Sequence, residues 1–301
     1  MCLAGKSFLA KTIHLFVLAL AAQISLVQAS DTQDDLYFSE LPIVASASRL
    51  PQRLQDAPSP MTILDRDIIR ASGARDLNDL LRLVPGFQTF PNNSDPTRVS
   101  YHGLTDEDFS PRVQVLIDGR SQYSPLFRSG VNWNLLPIAI EDIERIEVVR
   151  GTNSAAYGSN AFLGVINIIT LDPALSKGFS VSTNQGNQGI RDYTLRTGGQ
   201  LGDNGKFRFT YQQRDDNALN DRNRFYDAFR SRFFDLRTDF QISVSDALEV
   251  NLGQVLANMP QGKMGDPGQP IHDFSQSNVF LRLAWRHILS ADSELSVRYA
   301  Y

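Results

Sequence analysis

Hydrophobic and polar positions alternate with a period of two through the last part of the chain. From Lys206 to Arg214, Phe207, Phe209 and Tyr211 alternate with Arg208, Thr210 and Gln212. Leu248, Val250, Leu252 and Val255 do much the same around Glu249, Asn251 and Gly253. Val279, Leu281, Leu283 and Trp285 alternate with Phe280, Arg282, Ala284 and Arg286. Roughly seven such segments fill residues 178–301, with turn residues such as Gly202-Asp203-Asn204-Gly205 between them. Apolar-out, polar-in alternation over about ten residues is the pattern of a transmembrane β-strand. A soluble antiparallel sheet alternates too, so periodicity alone leaves both readings open. Arg208, Arg282 and Arg286 fall on the polar side, where a water-filled lumen would accept them.

Residues 58–172 follow a different pattern and read as a compact α+β domain. Met61 to Leu64 is a short strand, and Asp65 can cap a helix from Arg66 to Ala71 that Gly73 stops. Asp76, Leu77, Leu80, Leu81 and Val84 have helical spacing, closed by Pro85-Gly86. Arg98 to Tyr101 and Val113 to Ile117 read as strands, the second ended by Asp118-Gly119. Leu135 to Ile143 should hold a helical turn before a strand at 145–149. A last strand is expected at 165–169. Residues 30–57 are acidic, then contain Pro and Ser, and read as a flexible arm.

The first 29 residues differ in kind. Lys6 and Lys11 precede an apolar run from Ile13 to Ala22, and Val27-Gln28-Ala29 fits a small-residue cleavage site. This is the pattern of a secretory signal peptide. The apolar run is shorter than the ~18 residues of a transmembrane helix. Its removal takes two lysines from a formal charge of −4, leaving −6, and takes Cys2, the one cysteine. The mature chain then has no disulfide, thiol or cysteine-metal chemistry. No other segment is long and apolar enough for a membrane helix, so a spanning reading requires a β-barrel. The 301 residues, 42% of them hydrophobic, suffice for one or two domains with cores.

Catalytic chemistry has no foothold in the sequence. There is no nucleophile elbow, no P-loop and no HExxH, and His102, His272 and His287 are scattered. Asp106-Glu107-Asp108 reads as a solvated acidic loop, since nothing nearby completes an oxygen cage. The negative charge and the lack of a basic patch argue against nucleic acid. The sequence therefore reads as a non-enzyme without a cofactor or metal site.

The most informative stretch is Glu144 to Thr170, ERIEVVRGTNSAAYGSNAFLGVINIIT. It reads as strand, tight turn, short helix capped by Asn153 or Ser154, glycine turn at Gly158, and strand. It resembles the end of the plug domain of TonB-dependent outer-membrane receptors. It departs from the family form at Thr152, where proline is usual, and at Leu163, where glycine is common. LNDLLRLVPGF and VQVLIDGRSQYSPL are similar to two further plug motifs, so the resemblance spans about residues 41–170. It implies a plug domain followed by antiparallel transmembrane β-barrel strands. The family's barrel has 22 strands, the plugged-lumen class. About seven strands cannot close around such a plug, and the sequence ends at Tyr301 inside an alternating run, so a truncated chain is expected.

The resemblance also implies roles. Leu41, Pro42, Ile43, Val44, Ala45, Ser46 and Ala47 resemble the TonB box, which the energy-transducing protein TonB captures by β-augmentation. Arg150 matches a plug arginine that meets barrel carboxylates. His102 stands where the family has a second arginine, as a weaker and pH-dependent partner. Outward plug loops bind cargo, so Asn92, Asn93, Ser94, Arg120, Gln122 and Tyr123 are candidate contacts. The expected protein is a monomer in outer-membrane lipid of a Gram-negative bacterium, exported by the Sec pathway. Its expected cargo is a ferric siderophore, with cobalamin the alternative. A colonisation or signalling receptor is the third reading. Signalling members carry an extra N-terminal domain, and only about ten residues separate Ser30 from Leu41.

Overall fold

A computed structural model describes residues 43–44, 46, 52–92, 95–105, 112–123, 130–217 and 226–301. The expected signal peptide and most of the arm lie outside the described residues. So do Leu41, Pro42, Ala45 and Ala47 of the box, Asn93, Ser94, and the acidic loop Asp106 to Asp108.

Strands β1 (Ile43–Val44) and β2 (Gln52–Arg53) pair antiparallel ahead of the main domain. Strand β3 (Met61–Asp65) leads directly into helix α1 (Arg66–Ala71). The Asp65 carboxylate accepts from the Ile68 N–H at 2.8 Å, which satisfies one of the free donors of the first turn. Helix α2 (Leu77–Leu81) stops earlier than its apolar spacing suggests. The Leu83 and Val84 amides donate three residues back, to Leu80 and Leu81, and Pro85 cannot extend a helix. Val84 therefore reaches the core from a tight turn.

Strands β4 (Phe87–Asn92), β5 (Asp95–Tyr101) and β6 (Leu104–Thr105) form one small antiparallel sheet. Strands β7 (Val113–Ile117), β8 (Arg120–Ser121), β9 (Ile143–Arg150) and β10 (Gly164–Thr170) join β3 in the central sheet, in the order β3-β9-β10-β7-β8. The stretch 133–143 supplies two separate 3₁₀ turns, Trp133–Leu135 and Ile140–Asp142, where one helical turn was expected. Helix α3 (Ser154–Tyr157) fills the β9–β10 connection, and Gly158, at φ +84°, ends it. Asn153 sits at its N-cap position, and its side chain does not cap the helix.

Successive side chains of a strand point to opposite faces, and β9 is buried on both. Ile146 and Val148 pack into the main core with Ile69, Leu80, Val115 and Ile166. Val149 packs on the other face with Leu116, Ala161 and Val165. Glu147 shares that second face and is fully buried.

The remaining strands form one antiparallel meander: β11 (Gly178–Gln185), β12 (Arg191–Leu201), β13 (Gly205–Asp216), β14 (Phe229–Gln241), β15 (Asp246–Asn258), β16 (Ser275–Ser290) and β17 (Ser293–Ala300). Each pairs with the next, and β11 and β17 pair on one side only, so the described sheet is open. Phe209, Leu236, Leu252 and Leu281 are successive cross-strand partners in one apolar row on the outer face. Val279, Trp285, Val297 and Tyr299 extend this exposed surface. The opposite face packs on the first domain.

Val255 corrects the expected phase. It lies an odd number of residues from Leu252 and points inward, packed with Ala139, Phe233 and Phe280. Phe280 is likewise an inward apolar residue among polar neighbours. Gly253 makes room for it: a Cβ there would lie 2.3 Å from the Phe234 carbonyl oxygen and 2.7 Å from the Phe280 ring. The inner face thus carries apolar residues where Leu135 and Ala139 pack on it, and beside them Asn278 donates to the Leu135 carbonyl at 3.2 Å.

Candidate functional site

Two arrangements join sequence segments that local pattern could not connect. The first seats part of the expected box. Val44 and Ser46 are both buried, at 0% and 1% exposure, with Val44 opposite Gln52 in the β1–β2 pair. The Ser46 amide and hydroxyl both donate to Glu147 Oε2, at 3.1 and 2.5 Å. Arg145 Nε donates to the other carboxylate oxygen at 2.8 Å. Asn167 Nδ2 donates to Ser46 Oγ at 2.9 Å, and Asn153 Nδ2 to the Ser46 carbonyl at 3.4 Å. Hydrogen bonds to an ionised acceptor are the strong ones, so Ser46 is a hook on a buried carboxylate. Glu147 lies in the ERIEVVRG run, and its signal in the sequence is an acid set between Ile146 and Val148. Only the folded sheet shows that it faces the arm.

Ser46→Ala removes one charge-assisted bond and leaves the amide bond. The loss of about 1.5 kcal/mol should raise amide exchange at Val44 and Ser46 about tenfold. Hydrogen exchange followed by mass spectrometry on peptides covering 41–47 checks this, and unchanged exchange would show that the hook carries no load.

The second arrangement is the seam between the first domain and the meander. Arg208, Arg237, Asn251 and Arg282 are successive cross-strand partners on the inner face. Like charges directly opposite each other repel, so this row requires counter-charges. The first domain provides several. Arg208 is 2% exposed; it donates to the Leu171 carbonyl at 2.5 Å and to Asp235 at 3.0 Å, with Asp142 at 3.8 Å. Arg196 lies 3.5 Å from Asp142 and donates to the Glu141 carbonyl at 2.7 Å. Arg237 Nη1 lies 3.7 Å from Asp118 and donates to Thr170 Oγ1 at 2.9 Å, while Nη2 pairs with Asp239. Asp118, at φ +47°, also accepts from the Thr170 amide and hydroxyl, so one turn ties β7, β10 and β14 together.

The expectation of a solvated lumen arginine is therefore corrected at Arg208, and its cross-strand partner Arg237 behaves in the same way. Both are buried and paired, because packing of the first domain removes the water that would have solvated them. A cavity of about 10 Å³ beside Asp142, Arg208 and Asp235 has room for one water.

A second tier of pairs mixes both polarities. Arg75, between α1 and α2, donates to Asp192 at 2.6 and 2.9 Å and to Asp216 at 2.6 Å. Burial opposes its charge, but the bonds to Asp192 and Asp216 outweigh that and hold the guanidinium above its ordinary range. The neighbouring Asp76 accepts from Arg214. Sequence reasoning missed Arg75, Asp76, Asp118 and Asp142. Their signal was weak: charged residues beside turns, which usually are solvated.

The expected site residues are dispersed. Arg150, at the end of β9, has its Nε buried without a hydrogen-bond partner, and among the described residues it has no ion-pair partner. His102 lies in an exposed turn at φ +51°, its ring 4.2 Å from that of Tyr101 and above Gly86, with no carboxylate beside it among the described residues. Arg120 places its guanidinium 4.6 Å from the centre of the Phe280 ring. Burial and the nearby Arg282 lower its pKa. Gln122 donates to the Arg120 carbonyl at 3.0 Å, and Tyr123 is half exposed beside Val131. Asn92 closes β4, opposite Asp95. The structure therefore groups Arg120, Gln122 and Tyr123 and leaves His102 and Arg150 apart.

Comparison with known proteins places this fold. Residues 53–165 match the family model described as TonB-dependent receptor plug domain. Residues 53–165 are a TonB-dependent receptor plug domain. An iron-regulated outer membrane virulence protein of Vibrio cholerae is 35% identical over 147 residues, 47% of this chain and 22% of its own length. The vitamin B12 transporter BtuB of the same species is 28% identical over 202 residues, 67% of this chain and 31% of its own. The plug and meander superpose on the ferripyoverdine receptor of Pseudomonas aeruginosa with a TM-score of 0.64 at 16% identity, over 82% of this chain and 34% of that one. The ferric yersiniabactin uptake receptor of Yersinia pestis gives 0.65 at 15%, over 82% and 41%. These structural likenesses establish the plug-and-barrel fold. The chain spans less than a third of the length of the two curated relatives described, and the meander corresponds to part of a barrel.

Proposed function

We propose that this plug and its meander belong to a receptor that imports a scarce ligand across the outer membrane, driven by TonB. The observation that carries the reading is the seat of Val44 and Ser46 on Glu147. A short extended segment ahead of a plug, held by few and separable contacts, is what a partner that captures strands by β-augmentation requires. The apolar row on the outer face of the meander suits lipid, and the charged seam suits a plug that must stay in place yet shift. Nothing in either arrangement resembles a reaction centre, so the chemistry is binding and transport.

A ferric siderophore is the cargo we favour, since the iron-regulated relative has the higher identity and the two solved receptors named above are receptors for ferric ligands. Cobalamin is the second reading, because the vitamin B12 transporter matches over a larger share of this chain. Arg120, Gln122 and Tyr123 are the cargo contacts we infer within the described residues. Arg150 is assigned to a carboxylate outside the described strands, which would satisfy its buried Nε.

The test is uptake by cells carrying the complete receptor, with and without TonB, of labelled ferric siderophores and labelled cobalamin in competition. TonB-dependent accumulation of an iron complex that cobalamin does not block is the expected result. Accumulation of cobalamin instead would transfer the assignment to the vitamin. Equal accumulation without TonB would overturn the transport reading.

A further inference from the structure

The short links of the meander, at 242–245 and 291–292, contrast with the long ones at 217–228 and 259–274. Barrels of this class have short periplasmic turns and longer outer loops, so the short links mark the periplasmic rim. On the outer face the apolar surface ends at this rim in one row: Phe240, Leu248, Trp285 and Val297 are successive cross-strand partners. The next row towards the turns is polar at its centre. There Asp246 is opposite His287, on the same face as Trp285, and His287 is opposite Leu295. A tryptophan at the edge of the apolar band lies at headgroup level, where the aromatic girdles of such barrels form. Asp246 and His287 therefore point outward into the headgroups of the periplasmic leaflet, not into the lumen.

These side chains form one cluster. The Asp246 carboxylate accepts from His287 Nδ1 at 2.7 Å, from Trp285 Nε1 at 3.1 Å and from the Ser243 hydroxyl at 2.7 Å. The Trp285 and His287 rings stack with their centres 5.7 Å apart. An ionised carboxylate only accepts, at about four lone-pair sites. Oδ1 takes the two ring donors and Oδ2 the hydroxyl, so one site on Oδ2 stays open. The bond to Asp246 places a proton on His287 Nδ1, and Nε2 makes no bond to the described residues. Both side chains remain partly exposed. The nearby arginines do not offset the carboxylate: Arg286 and Arg298 lie on the inner side of β16 and β17, and the adjoining turns carry Asp203 and Asp292. The outer side of this rim is therefore matched to a ligand that brings its own cation.

We propose that this cluster is a headgroup site for a glycerophospholipid bearing a primary amine. The ammonium takes the open site on Asp246 Oδ2, and the phosphate takes the Nε2–H of the protonated His287 ring. In an ethanolamine headgroup these two groups are joined by a short ethylene bridge, so one headgroup reaches the adjacent carboxylate and imidazolium together and the charges balance. The acyl chains lie along Leu248, Trp285 and Val297. An anionic headgroup without an amine would face Asp246 as a like charge, and a quaternary ammonium has no N–H to donate. The site does not depend on what the receptor imports. For the test, the complete receptor is purified in detergent and titrated with phosphatidylethanolamine, phosphatidylcholine and phosphatidylglycerol of identical acyl chains, and bound lipid is counted by native mass spectrometry. Phosphatidylethanolamine should be retained about tenfold more tightly than either of the others, the factor expected for one hydrogen bond to a charged group. Asp246→Asn and His287→Gln should each remove that preference, while Asp292→Asn, in the adjoining turn, should keep it. Equal retention of the three lipids by wild type overturns the proposal without recourse to any variant. So does a preference for phosphatidylglycerol, which would make the rim an anion site, or a preference for phosphatidylethanolamine that survives Asp246→Asn.

Discussion

Val44→Pro in the complete receptor should reduce energy-dependent uptake to background while surface binding of cargo persists. Capture by β-augmentation uses main-chain donors, and proline removes one. Val44 is also fully buried opposite Gln52. The control separates these roles. Val44→Ala loses side-chain burial but keeps the amide, so it should retain uptake within several-fold. Full uptake by the proline variant would remove Val44 from the coupling mechanism. Lost surface binding would indicate a misassembled plug instead.

The seat itself is near balance. Burial of Val44 contributes roughly 1.5–3 kcal/mol, and the bonds of Ser46 to Glu147 contribute a similar amount. Against this, freeing the backbone of three residues returns about 1–2 kcal/mol each. Terms of equal size give a segment that is held but easily withdrawn. A rearrangement at the plug that disturbs Glu147, Arg145 or Asn167 would be enough to shift its population.

Arg208→Ala should destabilise the plug–barrel contact on the order of 3 kcal/mol. Removing one partner of a buried ion pair leaves an uncompensated charge, at a cost of about 3–5 kcal/mol. The low end applies because Arg196 still faces Asp142 and Asn251 still donates to Asp235. The Leu171 carbonyl loses its 2.5 Å donor as well. The expected readout is a lower denaturation midpoint of the detergent-solubilised receptor and faster amide exchange in Ile143–Arg150. The outer tier predicts a contrast: exchange near Arg75 should change little, since its bonds to Asp192 and Asp216 are independent of Arg208. A midpoint within experimental error of wild type would show that the arginine row is solvated after all.

Much of the architecture was legible because it is local. Asp65 caps α1 where an acid precedes a helical run, and β7, β9 and β10 lie where β-branched residues are bounded by turns. The meander's apolar-out rows follow from a period of two that a strand cannot evade. The family was legible in the Glu144 to Thr170 motif for the same reason, since it records a fixed succession of strand, turn, helix and strand. The phase error at Val255 shows the limit. Alternation says which residues share a face, but an inward apolar residue appears only where Leu135 and Ala139 arrive to cover it.

The pairing of charges was decided by tertiary structure alone. Arg208 and Asp142 are 66 positions apart, Arg75 and Asp216 are 141, and Ser46 and Glu147 are 101. Sequence shows that each is charged or polar, and solvent is then the default partner. Only the approach of plug to barrel expels that solvent, and the cost of a buried lone charge then dictates which residues must meet. The sequence by itself determined the longer strands, most of their faces and the resemblance to a family. The counter-ions of the seam and the carboxylate under the box exist only once the two layers are packed together.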